Sequence, residues 1–189
     1  MLSINHTDIY SLTDYSNHLK NLTEEDKRNR FGFAVSDSTI DRLVLEMVYN
    51  NKDHELWIAI DGKEIVGFGH MAKNGDGSWE LAVSVEKKHQ RKGIGNKLIS
   101  EMLVWAKFHK ITEVFMHCIE DNVVIQHLAA KHNLKTKERT IGERTASIEV
   151  PTPNVFEYNT QLLKEQSEII NEITELRGKL LQLWFNQKL

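Results

Sequence analysis

The chain has 189 residues, with 24 Lys and Arg against 27 Asp and Glu and a net charge of −3. That length supports one domain with a modest appendage and a core that needs neither disulfide nor metal. The mixed, slightly acidic charge gives no global field toward nucleic acid or an anionic membrane. Cys118 is the single cysteine, so an intramolecular disulfide is excluded and a reducing compartment fits. No apolar run approaches the ~20 residues that cross a bilayer. Met1-Leu2-Ser3-Ile4-Asn5-His6 lacks the basic and apolar stretches of a signal peptide, and the chain reads as cytoplasmic.

The first fifty residues read as helical. Leu12, Tyr15, Leu19 and Leu22 recur at helical spacing, and Asp37-Ser38 precedes a second amphipathic run from Ile40 to Met47. The period then changes to that of strands. Glu55–Ile60 and Ile65–Met71 flank the hairpin signal Asp61-Gly62, and Trp79–Glu86 follows the turn Asn74-Gly75-Asp76-Gly77. From Ile94 to Phe108 the residues Ile94, Leu98, Ile99, Met102, Leu103 and Ala106 form one apolar stripe of a helix. Thr112–Ile119 reads as a buried strand and Asn122–His132 as a further helix. Lys135–Ile141 and Thr145–Val150 read as a closing antiparallel pair around Gly142.

A strand, a helix and a strand in succession make the flanking strands parallel, with a right-handed crossover. Antiparallel strands on both sides then give an α/β domain on a mixed, largely antiparallel sheet. Pro151 and Pro153 mark a boundary, so residues 1–150 are expected as the domain and 151–189 as a C-terminal helical extension. In the extension Leu162, Ile169, Ile173, Leu176, Leu180 and Leu183 follow steps of three and four with one gap at Gln166, the seam of a heptad repeat.

The segment that carries chemistry is Glu86-Lys87-Lys88-His89-Gln90-Arg91-Lys92-Gly93-Ile94-Gly95, between a strand and a helix. A helix start leaves backbone N–H groups without intrahelical partners and carries partial positive charge, which makes an anion site. Gly93 and Gly95 remove side chains where phosphate oxygens must approach the backbone, and Arg91 and Lys92 add charge. The dinucleotide fingerprint fails because Leu98 holds the third glycine position, and no Gly-Lys-Ser/Thr triplet makes a P-loop. A short basic patch for nucleic acid and a purely structural turn with solvated charges are the other readings.

In this context Gln90-x-x-Gly93-x-Gly95 resembles the signature of the GNAT N-acetyltransferase superfamily, over roughly Asn50 to Val150. Leu22-Thr23-Glu24-Glu25-Asp26-Lys27-Arg28-Asn29-Arg30-Phe31 is similar to the start of the catalytic domain of bacterial protein lysine acetyltransferases. The resemblance implies acetyl-CoA as co-substrate, held where the strand before the motif splays from its parallel neighbour. Val83, Ser84 and Val85 would line the acetyl group and pantetheine arm, and Gln90, Arg91, Lys92, Gly93, Ile94, Gly95 and Asn96 the pyrophosphate. Asn122 matches a family asparagine that contacts the cofactor arm. Ala129 holds the position of the tyrosine that often serves as general acid.

A lysine-like amine has a pKa of about 10.4, so at pH 7 about one molecule in 2,500 is neutral, and a base is the stronger requirement. Glu80 is the candidate, at the strand position where the similar lysine acetyltransferases carry a catalytic glutamate. It shares a face with Ala82 and Ser84 and opposes Leu81, Val83 and Val85. An exposed strand carboxylate is the alternative. His127 and His132 are five apart rather than four, and no metal site is read. The leading expectation is therefore acetyl transfer from acetyl-CoA to a primary amine by direct attack, with the C-terminal helix pairing with a second copy in a homodimer or, as the alternative, folding back over the domain. A catalytically silent acyl-CoA-binding module, motivated by Ala129, is the alternative, and a scaffold built on the C-terminal coil is a third.

Overall fold

The computed structural model describes residues 1–7, 11–140 and 143–186. They divide into two compact units, residues 1–151 and 152–189.

In the first unit β1 (Leu2–Thr7) is followed by α1 (Leu12–Asn21), α2 (Glu24–Phe31) and α3 (Asp37–Tyr49). Then come β2 (His54–Asp61), β3 (Glu64–Lys73) and β4 (Trp79–Val85), the helix α4 (Ile94–Phe108) and β5 (Glu113–Ile119). The unit closes with α5 (Val123–Lys131), β6 (Lys135–Thr140) and β7 (Glu143–Glu149). The strands form one seven-stranded sheet in the order β1-β2-β3-β4-β5-β7-β6. Only β4 and β5 run parallel, as the α4 crossover between them demands. The α/β class and the mixed, largely antiparallel sheet agree with the sequence. The turn expected at Ile141-Gly142 lies outside the described residues.

The first fifty residues are not all helical. Leu2–Thr7 is an edge strand paired antiparallel with β2, Leu2 opposite Asp61 and Thr7 opposite Leu56. Only two apolar residues, Leu2 and Ile4, alternate there, too few to reveal a strand without its partner. The helices that follow end where local chemistry stops them. Thr23 Oγ1 caps α2 by accepting from Asp26 N at 3.1 Å, and Gly32 closes it in the left-handed region at φ 80°. Ser36, one residue before the expected cap, accepts from Thr39 N at 3.2 Å and starts α3.

The sheet is covered on both faces. On one lie Ile94, Leu98, Ile99, Met102 and Ala106 of α4, packed on Trp57, Ala59, Met71, Leu81, Val114 and Met116. These are the stripe residues of the sequence, with Leu103 packed at the margin. On the other face α1 and α3 bring Leu12, Tyr15, Leu19, Ile40 and Met47 against Leu56, Ile58 and Phe68. The helix α4 lies so close to β3 that a Cβ on Gly69 would stand 2.5 Å from Met102 Sδ, while the neighbouring strand β4 would bring its Ser84 carbonyl within 2.7 Å of one on Gly67. Those two glycines are packing requirements of the layered fold.

The second unit is one helix, α6 (Val155–Asn186), capped by Asn154 Oδ1 accepting from Glu157 N at 2.9 Å. Leu162, Ile169, Ile173, Leu176, Leu180 and Leu183 all fall within it. No described helix in either unit is long and apolar enough to cross a membrane.

Candidate active site

The site grows from the parting of β4 and β5. The two strands are in register only at Trp79 opposite Val114 and Glu80 opposite Phe115. Beyond Glu80 they diverge, and the backbone on each side of the gap can be read from the neighbouring ladders. Glu86 N donates to Val66 O at 3.0 Å. Stepping back by twos along the antiparallel register makes Ser84/Phe68, Ala82/His70 and Glu80/Ala72 the mutually bonded pairs. Leu81, Val83 and Val85 therefore turn their N–H and C=O groups away from β3, toward β5. On the far wall Val150 N donates to Thr112 O at 2.9 Å, so Val114, Met116 and Cys118 bond β7, and His117 and Ile119 turn their backbone groups to the gap.

The gap opens on the turn before α4. Arg91 at φ 60° and Gly93 at φ 79° both adopt the left-handed region, uncommon for arginine, and curl the backbone into the helix start. Gly93 is the N-cap residue, has no side chain to bond the first N–H groups, and no acidic residue sits in the first turn. A Cβ built on Gly93 meets nothing within 4 Å, so the turn faces open space. Of the basic run, Lys87 pairs with Glu25 at 3.4 Å and Lys88 with Glu64. Among the described residues Arg91 and Lys92 have no carboxylate within 4 Å. The unpaired positive charge thus lies beside the bare helix start.

The expected site residues divide by what they already hold. Ile94 is buried in the core, and its contribution to the turn is its backbone. The Gln90 side chain donates from Nε2 to Val85 O and to Asp26 Oδ1, both at 3.0 Å, tying the end of β4 to α2. Its function visible here is to hold the turn. Ser84 belongs to the opposite face: its hydroxyl lies 2.9 Å from His18 Nε2, and its backbone bonds Phe68. Asn122 caps α5, its Oδ1 accepting from Ile125 N at 3.1 Å. Asn96 lies in the first turn of α4, and Ala129 is buried in the core. Glu64, Glu86 and His89 bring three ligand atoms within 4.8 Å of one another, but the Lys88 ammonium already bridges the two carboxylates.

Glu80 lies at the apex of the gap and faces the other way, into a cavity of about 230 Å³. The register explains the cavity. His54, Ala72 and Glu80 form one row across β2, β3 and β4, and Leu56, His70 and Ala82 the next. The two alanines leave the floor low, while Leu19, Phe31, Leu43, Val44 and Met47 wall it from α1, α2 and α3, with Glu46 of α3 as a second carboxylate in the lining. A larger opening of about 510 Å³ beside His6, Asn51 and Glu55 is lined by neither Glu80 nor the Gly93 turn.

The cavity also contains a polar chain that the sequence did not reveal. Arg30 Nη2 donates to Tyr15 Oη at 3.2 Å and to His70 Nδ1 at 3.3 Å. Because an arginine can only donate, His70 carries its proton on Nε2 and gives it to His54 Nδ1 at 3.1 Å. Burial, then the Arg30 guanidinium, then His54 hold His70 well below the ordinary histidine range. Burial also lowers His54, against the opposing pull of Asp53 and Glu46. Both rings are neutral at pH 7.

His18, buried beside Phe68 and Ser84, is pushed down to about 4 by burial and then by Arg30, with the Ser84 contact opposing. The unfolded chain takes up this proton near the ordinary 6.5, the folded chain only near 4. Between those values the unfolded state binds more protons, so stability is complete above about pH 6.5 and is lost as the pH falls toward 4. The loss is about 3 kcal/mol. Urea denaturation at pH 7 and pH 4.5 should show a pH slope that His18→Asn reduces; an unchanged slope in the variant assigns it to other groups.

A seven-stranded mixed sheet with one splayed parallel pair, and a glycine-started helix at the mouth of the splay, define an α/β fold with an anion-binding turn at the end of the splay. Residues 17–133 match the acetyltransferase (GNAT) family, and the chain belongs to it. The structure is similar to the GNAT domain of PAT from S. lividans, with TM-score 0.65 at 14% identity over 77% of this chain and 89% of that one. It is similar to spermidine N-acetyltransferase from Vibrio cholerae in complex with CoA and spermine, with TM-score 0.61 at 17% identity over 79% and 95%. The ribosomal-protein-S18-alanine N-acetyltransferase from Escherichia coli gives TM-score 0.60 at 12% identity over 82% and 97%.

Proposed function

We propose that the chain transfers an acetyl group from acetyl-CoA to a primary amine by direct attack, with Glu80 as the general base. The observation that carries this reading is the gap between β4 and β5, which widens toward the Gly93 turn from an apex at Glu80, a residue whose side chain lines the cavity. Acetyl-CoA fits the Gly93 end: a bare helix start with two left-handed residues, open space and unpaired Arg91 and Lys92 suits a pyrophosphate. The backbone groups of Val83 and Val85 would hold the acyl carbonyl and the pantetheine arm, with Gly95 and Asn96 beside the phosphates and Asn122 across the gap. Ser84 and Gln90 serve the same site by fixing the strand and the turn. Bound acetyl-CoA supplies the acyl group; Glu80 accepts the proton that the acceptor ammonium must lose.

The spermine of the similar Vibrio cholerae complex is consistent with an amine acceptor. Acetyl-CoA-dependent thiol release with a panel of amines tests the reading. Binding of acetyl-CoA without release from any amine favours the silent module instead, for which the buried Ala129 is the motive. A cytoplasmic site of action rests on the single cysteine.

The same proposal extends to assembly. The helix α6 repeats apolar residues at three-four spacing, and its own unit contains no second described element to cover them. An isolated helix is marginal in water, so the seam needs a partner. We assign it to a second copy of the chain, through self-complementary seams in a two-fold dimer. Light scattering is expected to give a dimer for the full chain at micromolar concentration and a monomer for a version ending at Val150. A full-length monomer rejects the dimer.

A further inference from the structure

We infer that the Glu80 cavity selects an amine that also carries a carboxylate, an apolar amino acid, with Arg30 as the anchor of that carboxylate; the inference rests on the transfer reading above. Among the described residues lining the cavity, Arg30 is the one guanidinium or ammonium, and no carboxylate lies within 4 Å of it. Its hydrogen-bond partners are both neutral, the Tyr15 hydroxyl and the His70 ring, each taken by Nη2, and its guanidinium lies 5.1 Å from the centre of the Phe31 ring. A partly buried charge without a counter-ion is costly. The remaining Nε and Nη1 donors of a planar fork match a carboxylate in two-point contact.

The rest of the cavity sets the body of the ligand. Leu19, Phe31, Leu43, Val44 and Met47 are apolar, Ala72 and Ala82 add nothing polar to the floor, and Glu46 is a second carboxylate of the lining. His54 and His70, held neutral, neutralise neither charge. Glu80 lies diagonally across the ladder from His70, on which the Arg30 fork rests, and such diagonal positions are about 7–8 Å apart. The acid and the guanidinium therefore face one small space from different sides. With Glu46 and Glu80 beside Arg30 the lining carries both signs, and a zwitterion addresses both: its ammonium meets Glu80 and its carboxylate meets the open donors of Arg30. A plain cationic amine meets the carboxylates and leaves those Arg30 donors without an acceptor. At about 230 Å³ the cavity falls below the ~300–1,000 Å³ of drug-sized sites. A single amino acid suits that volume.

The test compares leucine with isoamylamine and phenylalanine with phenethylamine, at matched concentration of neutral amine, by thiol release from acetyl-CoA on the full chain. Each pair differs only in the carboxylate. The amino acid is expected to show the higher kcat/KM by about 10–100-fold, the worth of a charge-assisted contact. Arg30→Met should abolish that preference, whereas Arg30→Lys, which keeps the charge, should retain a preference and controls for folding. Equal or better turnover of the carboxylate-free amines overturns the inference and leaves acetyl transfer standing, as does a preference that survives in Arg30→Met. If neither member of a pair is acetylated, calorimetry in the presence of coenzyme A decides. Tighter binding of the amino acid, lost in Arg30→Met, upholds the Arg30 site while acetyl transfer is judged by the amine panel, and binding of neither overturns the inference.

Discussion

Glu80→Gln is expected to lower turnover by about 10²–10⁴-fold while leaving acetyl-CoA affinity nearly unchanged. Glutamine keeps the shape and cannot take the proton. Glu80 is the last residue of β4 in register with β5, so it stands where the gap begins. Its side chain shares the face of Ala82 and lines the cavity, whereas the backbone groups of Val83 and Val85 face into the gap. The change thus falls on the cavity side of the sheet and not in the gap proposed for acetyl-CoA. An ammonium of pKa about 10.4 is overwhelmingly charged at pH 7, which makes the missing base costly there and progressively less so as the pH rises. The variant's rate should therefore climb with pH more steeply than that of the parent, and the gap between them should narrow. Steady-state kinetics from pH 6.5 to 9.5, with affinity measured separately, checks both parts. Normal turnover of Glu80→Gln at neutral pH moves the base elsewhere, and His54, neutral and in the same cavity, becomes the next residue to replace.

What was legible in the sequence was whatever repeats locally. The stripe from Ile94 to Ala106 revealed α4, and a strand on either side of it made β4 and β5 parallel. Period-two alternation put Glu80 on the face of Ala82 and Ser84, as the structure has it. The Glu80 cavity was not legible, because Tyr15, Arg30, His54 and His70 come from four different elements and meet only through the register. That register shifts at Ala59/Ile60, and a slip of one residue turns every side chain of a strand to the other face. No spacing in the sequence records such a shift. Gly67 and Gly69 were likewise visible as strand glycines, but their reason is the close approach of neighbouring backbone and of Met102 from the helix above. Gln90 shows a third limit. Its place in the motif was plain, yet its side chain closes a structural link between β4 and α2 that sequence order, with Gln90 and Asp26 64 positions apart, does not suggest.

Gly93→Val is expected to remove most acetyl-CoA affinity from a protein that still folds. The two effects separate because of where Gly93 stands. At φ 79° a residue with a branched Cβ is strained by about 1–2 kcal/mol, whatever surrounds it. Nothing lies within 4 Å of the new Cβ, so no internal clash adds to that strain. The cost to folding is therefore modest. The open space is the side from which phosphate oxygens would approach the first N–H groups of α4, and the valine methyls would stand in it. Each charge-assisted hydrogen bond displaced is worth about 1.5–3 kcal/mol, and more than one is at stake at a helix start. Affinity should fall by roughly 10-fold at the least and by more than 100-fold if two are lost. Gly62 supplies the control. It is also left-handed, at φ 66°, and also open, but it lies in the β2–β3 hairpin. Gly62→Val should therefore show similar strain in thermal denaturation and unchanged binding in calorimetric titration. If Gly93→Val binds acetyl-CoA as tightly as the Gly62 variant does, the pyrophosphate is held somewhere other than the start of α4.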